Sequence, residues 1–301
     1  MNIIRNIIGK DIVIMNIEIL SQAIINGLLI GSIYVLIALG LTLIWGTMEI
    51  VNFAHGDFLM IGMYTSFWLF TLAGIDPLAS LPIVFCILFI LGIFFYKVLI
   101  KKVLNSSFLS QVLVTFGLGL TLQGLARFLW KSNYRLIQGN ILQGTINIFN
   151  IIVGVPQLFS SFFSIVVVVI LVYFLDRTKT GRAIKATTIN KEAAQLAGIN
   201  IEYIFTLVVG LGIALVGIAG GLLANFYFVY PEIGFLFGTL AYVVVAIGGF
   251  GSIWGAVLGG LLLGVVSSLS GILISPAFKY LSIFLIYLIV ISIKPKGMKG
   301  W

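Results

Sequence analysis

The chain is predicted to be an all-α, polytopic membrane protein with about 8–9 transmembrane helices and broken or re-entrant segments. Three observations carry that prediction. Apolar residues make up 61% of the 301 residues and charged residues 9%, whereas a soluble domain carries roughly a quarter charged residues. The few charges spare long stretches, many of them near the ~20 residues that a spanning helix needs. The basic residues then gather in short connections, the pattern that marks the cytoplasmic side of a membrane protein.

Each element follows from where a charge interrupts an apolar run. Uncharged Ile19–Met48 predicts a helix near 20–46, Phe58–Ile75 one near 57–74, and Pro77–Tyr96 one near 79–100. Val103–Ala126 predicts 106–130. The uncharged stretch Leu136–Leu175 is too long for one span, so it divides into a helix near 158–176 and the end of a polar connection over 131–157. That connection carries Lys131, Asn133, Arg135, Asn140, Asn147, Asn150 and Pro156, with a short strand expected at Thr145–Val153. Tyr203–Pro231 predicts 201–225, and Tyr280–Ile293 predicts 277–294. Between them Ile233–Phe278 is again long enough for two helices, near 233–250 and 253–274. Gly248-Gly249-Phe250-Gly251-Ser252 separates them, because glycine at this density breaks a helix. Gly251, Gly255 and Gly259 are spaced by four, as are Gly260 and Gly264, so helix backbones can approach closely there. Residues 1–301 form one domain. Residues 1–18 are a tail or an interfacial helix, since Ile3, Ile4, Ile7, Ile8, Ile12 and Met15 recur at near-helical spacing.

The net charge of +8 is explained by topology. Eleven of the seventeen basic residues fall in three clusters: Lys97, Lys101 and Lys102; Arg177 to Lys191; and Lys294, Lys296 and Lys299. Placing all three inside the cell gives a consistent alternation of the last eight helices and puts the N-terminus outside, against the pull of Arg5 and Lys10. No nucleic-acid partner is expected. Cys86 stands alone, which excludes a disulfide framework and a cysteine metal site. No cleavable signal pattern precedes the first apolar run. The sequence also contains no G-x-x-x-x-G-K-[ST] phosphate loop.

Chemistry concentrates in two stretches. Glu49, Asn52, the only histidine His55, Gly56 and Asp57 fall between two apolar runs. On a continuous helix Glu49, Asn52 and His55 would be successive neighbours three apart. Gly56-Asp57 is expected to stop one helix and cap the next. An ionisable cluster at membrane depth points to a substrate path or a gate, and an interrupted helix offers free backbone groups to a polar solute. A turn whose charges merely face water is the competing interpretation. No metal-ligand spacing is present. Gly248, Gly249 and Gly251 are candidates for the same path or gate.

The second stretch, residues 177–200, is the one long polar segment on the predicted inner face. Asn190 is a helix N-cap, Glu192 stands in the first turn, and Ala193, Ala194 and Ala197 make a small smooth surface before Gly198 ends the helix. Such a helix between two spans is shaped to dock into another protein.

Four segments in order resemble the permease subunits of branched-chain amino acid ABC importers. They are Leu41 through Phe58, Thr180-Gly-Arg-Ala through Glu192-Ala-Ala-x-x-x-Gly198, Ala246-Ile-Gly-Gly-Phe-Gly-Ser-Ile-Trp-Gly-Ala256, and Lys294-Pro-Lys-Gly-Met298. The last departs from the family pattern, which carries arginine and a neutral polar residue where Lys294 and Lys296 stand. The resemblance implies a permease domain in the cytoplasmic (inner) membrane that acts without a cofactor and catalyses no chemistry itself. It implies two ATP-binding cassette subunits inside, an extracytoplasmic solute-binding protein outside, and pairing with a second related permease or with itself. Gly181, Arg182, Lys185, Glu192, Ala193, Ala194 and Gly198 would belong to the segment that couples to the ATPase. Branched-chain or related amino acids are the expected solutes. A permease for urea or amides of the same family is the alternative, and so is a stand-alone channel or facilitator.

Overall fold

The computed structural model describes residues 2–148 and 150–298, with side chains from residue 17 onward, Ile148 excepted. Helix α1 spans Asn2–Met48, α2 His55–Ala73 and α3 Pro77–Phe95. A π-helical turn at Tyr96–Ile100 carries α3 into the short α4, Lys101–Val103, and α5 follows at Phe108–Trp130. An antiparallel hairpin, β1 (Thr145–Ile148) and β2 (Ile151–Gly154), leads to α6, Val155–Arg177. Helices α7 (Lys179–Ile189) and α8 (Lys191–Leu196) precede α9, Ile201–Leu223. The chain closes with α10 (Ile233–Gly248), α11 (Ile253–Leu273) and α12 (Phe278–Ile293).

The fold is all-α and polytopic, as the charge pattern predicts. Six of the described helices are long and apolar enough to cross a membrane, and α10 and α12 are shorter apolar helices. The strand expected at Thr145–Val153 is a two-stranded hairpin, with Thr145 opposite Gly154. Its turn holds Asn150 at φ 65, a conformation that asparagine tolerates better than most residues. The amphipathic face expected of Asn2–Met15 rests on side chains outside those described; the backbone there continues α1 as one helix. Lys299 of the third basic cluster also lies outside the described residues.

Long-range contacts sort the connections into two ends. At one end Lys101 pairs with Glu202, Lys191 lies over the Phe205 ring, Thr188 meets Thr47, and Met298 N–H donates to Ile247 O. This end collects the described members of all three basic clusters. At the other end Arg127 pairs with Glu232, Gln22 bonds to Ile152, Asp76 accepts from Ile141 N–H, and Arg135 bridges to Val229. By the positive-inside rule the basic end is cytoplasmic.

Helices α1 and α9 form the centre: 83% of the most apolar window of each is buried, against 28% for α3, α5 and α6. Lipid supplies no hydrophobic drive for helices to associate, so packing depends on close approach of backbones. Glycines supply it where α1 and α9 cross their neighbours. A methyl at Gly40 would lie 2.3 Å from Gly212 O, and one at Gly264 2.3 Å from Gly27 O. The second crossing joins α1 to α11, and its partners include the four-spaced glycines of the sequence.

Candidate functional site

Residues 49–54 are where the first helix fails to continue. Helix α1 ends at Met48, and Glu49 takes φ 56, a left-handed conformation unfavourable for a side chain with a Cβ. The chain is then non-helical until His55, so Glu49, Asn52 and His55 are not stacked neighbours on one helix as their spacing suggested. Glu49 is exposed, whereas Asn52, His55 and Asp57 are buried. The expected cap is also revised. Ala54, not Asp57, is the N-cap of α2, without a side-chain bond, and Gly56 lies inside the first turn.

Gly56 is there for packing. A methyl on it would stand 1.9 Å from Gly234 O and 2.6 Å from Gly238 N, so α2 begins directly against the start of α10. Asp57 is wedged at the same crossing. Its Oδ1 accepts from Gln123 Nε2 at 2.8 Å, and a methyl at Gly119 would sit 2.5 Å from its Oδ2. His55 Nε2 lies 3.0 Å from Ile37 O. That carbonyl is roughly 16 Å along α1 from its cytoplasmic end, at about 1.5 Å rise per residue. Helix α2 therefore starts inside the protein at depth. Helix α10, at 16 residues, spans roughly 24 Å, less than the ~30 Å hydrocarbon thickness. The two interrupted elements meet at Gly56, Gly234 and Gly238.

The interruption leaves polar atoms without partners. Among the described residues, both amide atoms of Asn52, the second ring nitrogen of His55 and the Tyr242 hydroxyl are buried and unbonded. Tyr242 stacks on Phe53 at 5.4 Å between ring centroids. Buried polar groups are nearly always satisfied, so three residues with orphan atoms around one interruption can offer hydrogen bonds to a passing solute or exchange them when helices move. Tyr242 and Gln123 carry no local motif in the sequence. Their role comes from burial and from contacts that span much of the chain.

The glycine break is real but sits elsewhere. Helix α10 ends at Gly248 and α11 starts at Ile253, with Gly249 at φ 103 and Gly251 at φ 77. A methyl at Gly248 would come 2.3 Å from the Gly255 carbonyl carbon, so this is a tight turn between two closely packed helices. It lies at the cytoplasmic end, away from the polar interruption. Gly251 faces Gly46 of α1, and Gly297 of the C-terminal tail lies against Gly249. Glu49 joins this second group, lining a cavity of about 330 Å³ with Trp45, Gly46, Thr188, Phe250 and Gly251.

Helices α7 and α8 reach that junction from the surface. The expected docking helix is α8, capped by Asn190, which accepts from Ala193 N–H at 2.9 Å; the same residue ends a further helix, α7, before it. Thr178 caps α7 in the same way. Gly181 lets α7 lie against the end of α6, where a methyl would stand 2.2 Å from Phe174 O. Lys185 pairs with Asp176, tying α7 to α6. Glu192, Ala193 and Arg182 are exposed, and Gly198 at φ 82 stops α8. Ala194 is the exception to the predicted smooth surface, because it turns inward and is buried. The exposed apolar residues are instead Ile189 and Leu196, at 77% and 91%. Outside the membrane, apolar residues this exposed mark a contact surface when they cluster. Thr188 on the inner side of α7 lies 3.3 Å from Thr47 of α1.

An all-α bundle with a polar interruption at depth and an exposed helical pair at its basic end defines a multi-pass membrane protein. The chain belongs to the family of branched-chain amino acid transport system permease components, whose model matches residues 23–293. It is 32% identical over 292 residues to the high-affinity branched-chain amino acid transport system permease protein BraD of Pseudomonas aeruginosa, covering 93% of this chain and 95% of that protein. LivH of Escherichia coli K12, described in the same words, matches at the same identity and coverage. A probable branched-chain amino acid transport permease LivH of Methanocaldococcus jannaschii is 33% identical over 285 residues, 90% of this chain and 87% of that protein. No solved structure matches the chain.

Proposed function

We propose that residues 1–301 form one permease domain of an ATP-driven importer in the cytoplasmic membrane, moving branched-chain or related amino acids inward. Two ATP-binding cassette subunits dock on α7 and α8, a second permease or a second copy completes the membrane pair, and a solute-binding protein delivers from outside. The observation that carries this proposal is the continuity from Glu192 to the membrane helices. The exposed α8 is capped by the residue that ends α7, and α7 touches α1 at Thr47 beside the α10–α11 turn. Helix α7 packs on α1, α6 and α9, so a push on α8 is delivered to three membrane helices at once. The orphan atoms of Asn52, His55 and Tyr242 then act along the path or as its gate, with Asp57 held by Gln123.

The decisive experiment is uptake of labelled leucine into vesicles containing the reconstituted complex, with ATP present or absent on the cytoplasmic side. ATP-dependent uptake, lost in Glu192→Lys while the permease still inserts and runs as a discrete species, is expected. Equal flux without ATP would assign the chain to channels instead. No uptake of labelled leucine, with ATP-dependent uptake of labelled urea or an amide in the same vesicles, would change the solute class.

A further inference from the structure

A further cavity lies away from the polar interruption, in the outer half of the molecule. It has a volume of about 580 Å³ and is walled by α1, α11, α12, the start of α6 and the β hairpin. Pockets that hold small molecules enclose about 300–1,000 Å³ and combine apolar walls with a few polar groups. This cavity has that composition: Leu29, Ile30 and Ile283 are apolar, while Tyr227, Gln157 and Lys279 are polar.

Its electrostatics are one-sided. Lys279 lines the cavity with no carboxylate within ion-pair distance among the described residues. It occupies the first turn of α12, which contains no acidic residue and whose N-cap, Ala277, supplies no side-chain acceptor. A cation is unfavourable at a helix N-terminus, so lysine and helix dipole together leave a positive site that an anion would neutralise. Gln157 also lines the wall, with its Oε1 buried against Gly154 and without a donor among the described residues. Burial raises the Tyr227 phenol to about 12, so it stays a neutral hydrogen-bond donor and acceptor at ordinary pH.

Resting on the transport proposal above, we propose that this cavity is an outer binding site for an aliphatic amino-acid zwitterion. Lys279 takes the carboxylate, the Tyr227 hydroxyl takes the ammonium, and Leu29 and Ile30 take the side chain.

The test uses the full chain in vesicles with its partner subunits, in a Cys86→Ser background with Ser268→Cys as a reporter in the cavity wall. The new thiol is modified with an anionic or a cationic methanethiosulfonate. Faster modification by the anionic reagent is expected, with the preference falling on the order of tenfold in Lys279→Gln and returning in Lys279→Arg. L-leucine is expected to slow modification, and leucinamide, which lacks the carboxylate, is not. Equal slowing by leucinamide, no slowing by leucine, or an unchanged preference in Lys279→Gln would each overturn the site. ATP-driven leucine uptake is measured in the same vesicles. Uptake without protection rejects the cavity alone; protection without ATP-driven uptake rejects the importer and leaves the cavity.

Discussion

Gly56 is the residue on which the interrupted helix depends. No side chain fits between it and Gly234, and the obstacle is backbone, which cannot swing aside. Gly56→Ala is expected to destabilise the folded chain by about 1–3 kcal/mol, the range for overpacking. Gly117→Ala on α5 is the control, because a methyl there meets nothing within 4 Å, and helix propensity favours alanine by about 1 kcal/mol. Thermal unfolding in detergent should separate the two in opposite directions; a matching shift would mean that the Gly56 crossing is loose. His55 makes a different prediction. Its ring donates one bond, from Nε2–H to Ile37 O, worth about 1 kcal/mol net. His55→Ala is expected to assemble normally and to transport several-fold more slowly. Unchanged uptake would reduce the ring to a packing element.

At the scale of elements, local chemistry was legible and long-range chemistry was not. Asn190 and Gly198 announce the bounds of α8 because a cap and a left-handed stop need only neighbouring residues. Apolar runs announce the spans for the same reason. Glu49 gave no such warning, since a left-handed glutamate is imposed by the surrounding packing. Asp57 looked like a cap because its partner Gln123 is 66 residues away. The glycines of the α10–α11 turn were readable as a break, but their depth was not, because depth is set by Gly46, Thr188 and Gly297 from three other parts of the chain. The two ends of the coupling route should respond differently to substitution. Gly251→Ala places a Cβ at φ 77, which costs about 1–2 kcal/mol, and so should lower the unfolding temperature. Glu192→Lys alters an exposed side chain and should leave that temperature unchanged while abolishing ATP-dependent uptake. Loss of stability in Glu192→Lys would make it a folding residue and remove it from the docking surface.

For the whole molecule, the arrangement of ends is a stronger statement than any count of spans. Contacts between distant residues place Lys101, Lys191, Gly251 and Met298 together, and Asn140, Ile152 and Glu232 with the opposite group. A membrane must separate these two sets, whatever the tilt of each helix. The lone cysteine makes the separation measurable, because Cys86→Ser leaves a chain without thiols. In that background Asn133→Cys, on the outer connection, is expected to react with an impermeant maleimide in intact cells. Arg182→Cys, exposed on α7, is expected to react only after the membrane is opened. The pattern also fixes the direction of α1: Gln22 lies at the hairpin end and Thr47 at the α7 end. The chain before Gln22 therefore approaches from outside despite Arg5 and Lys10, whose pull is outweighed by the three basic clusters farther along. Reaction of Arg182→Cys in sealed cells would invert the molecule. It would expose α8 to the medium, where no ATP-binding subunit can reach it, and the importer would fail with the topology.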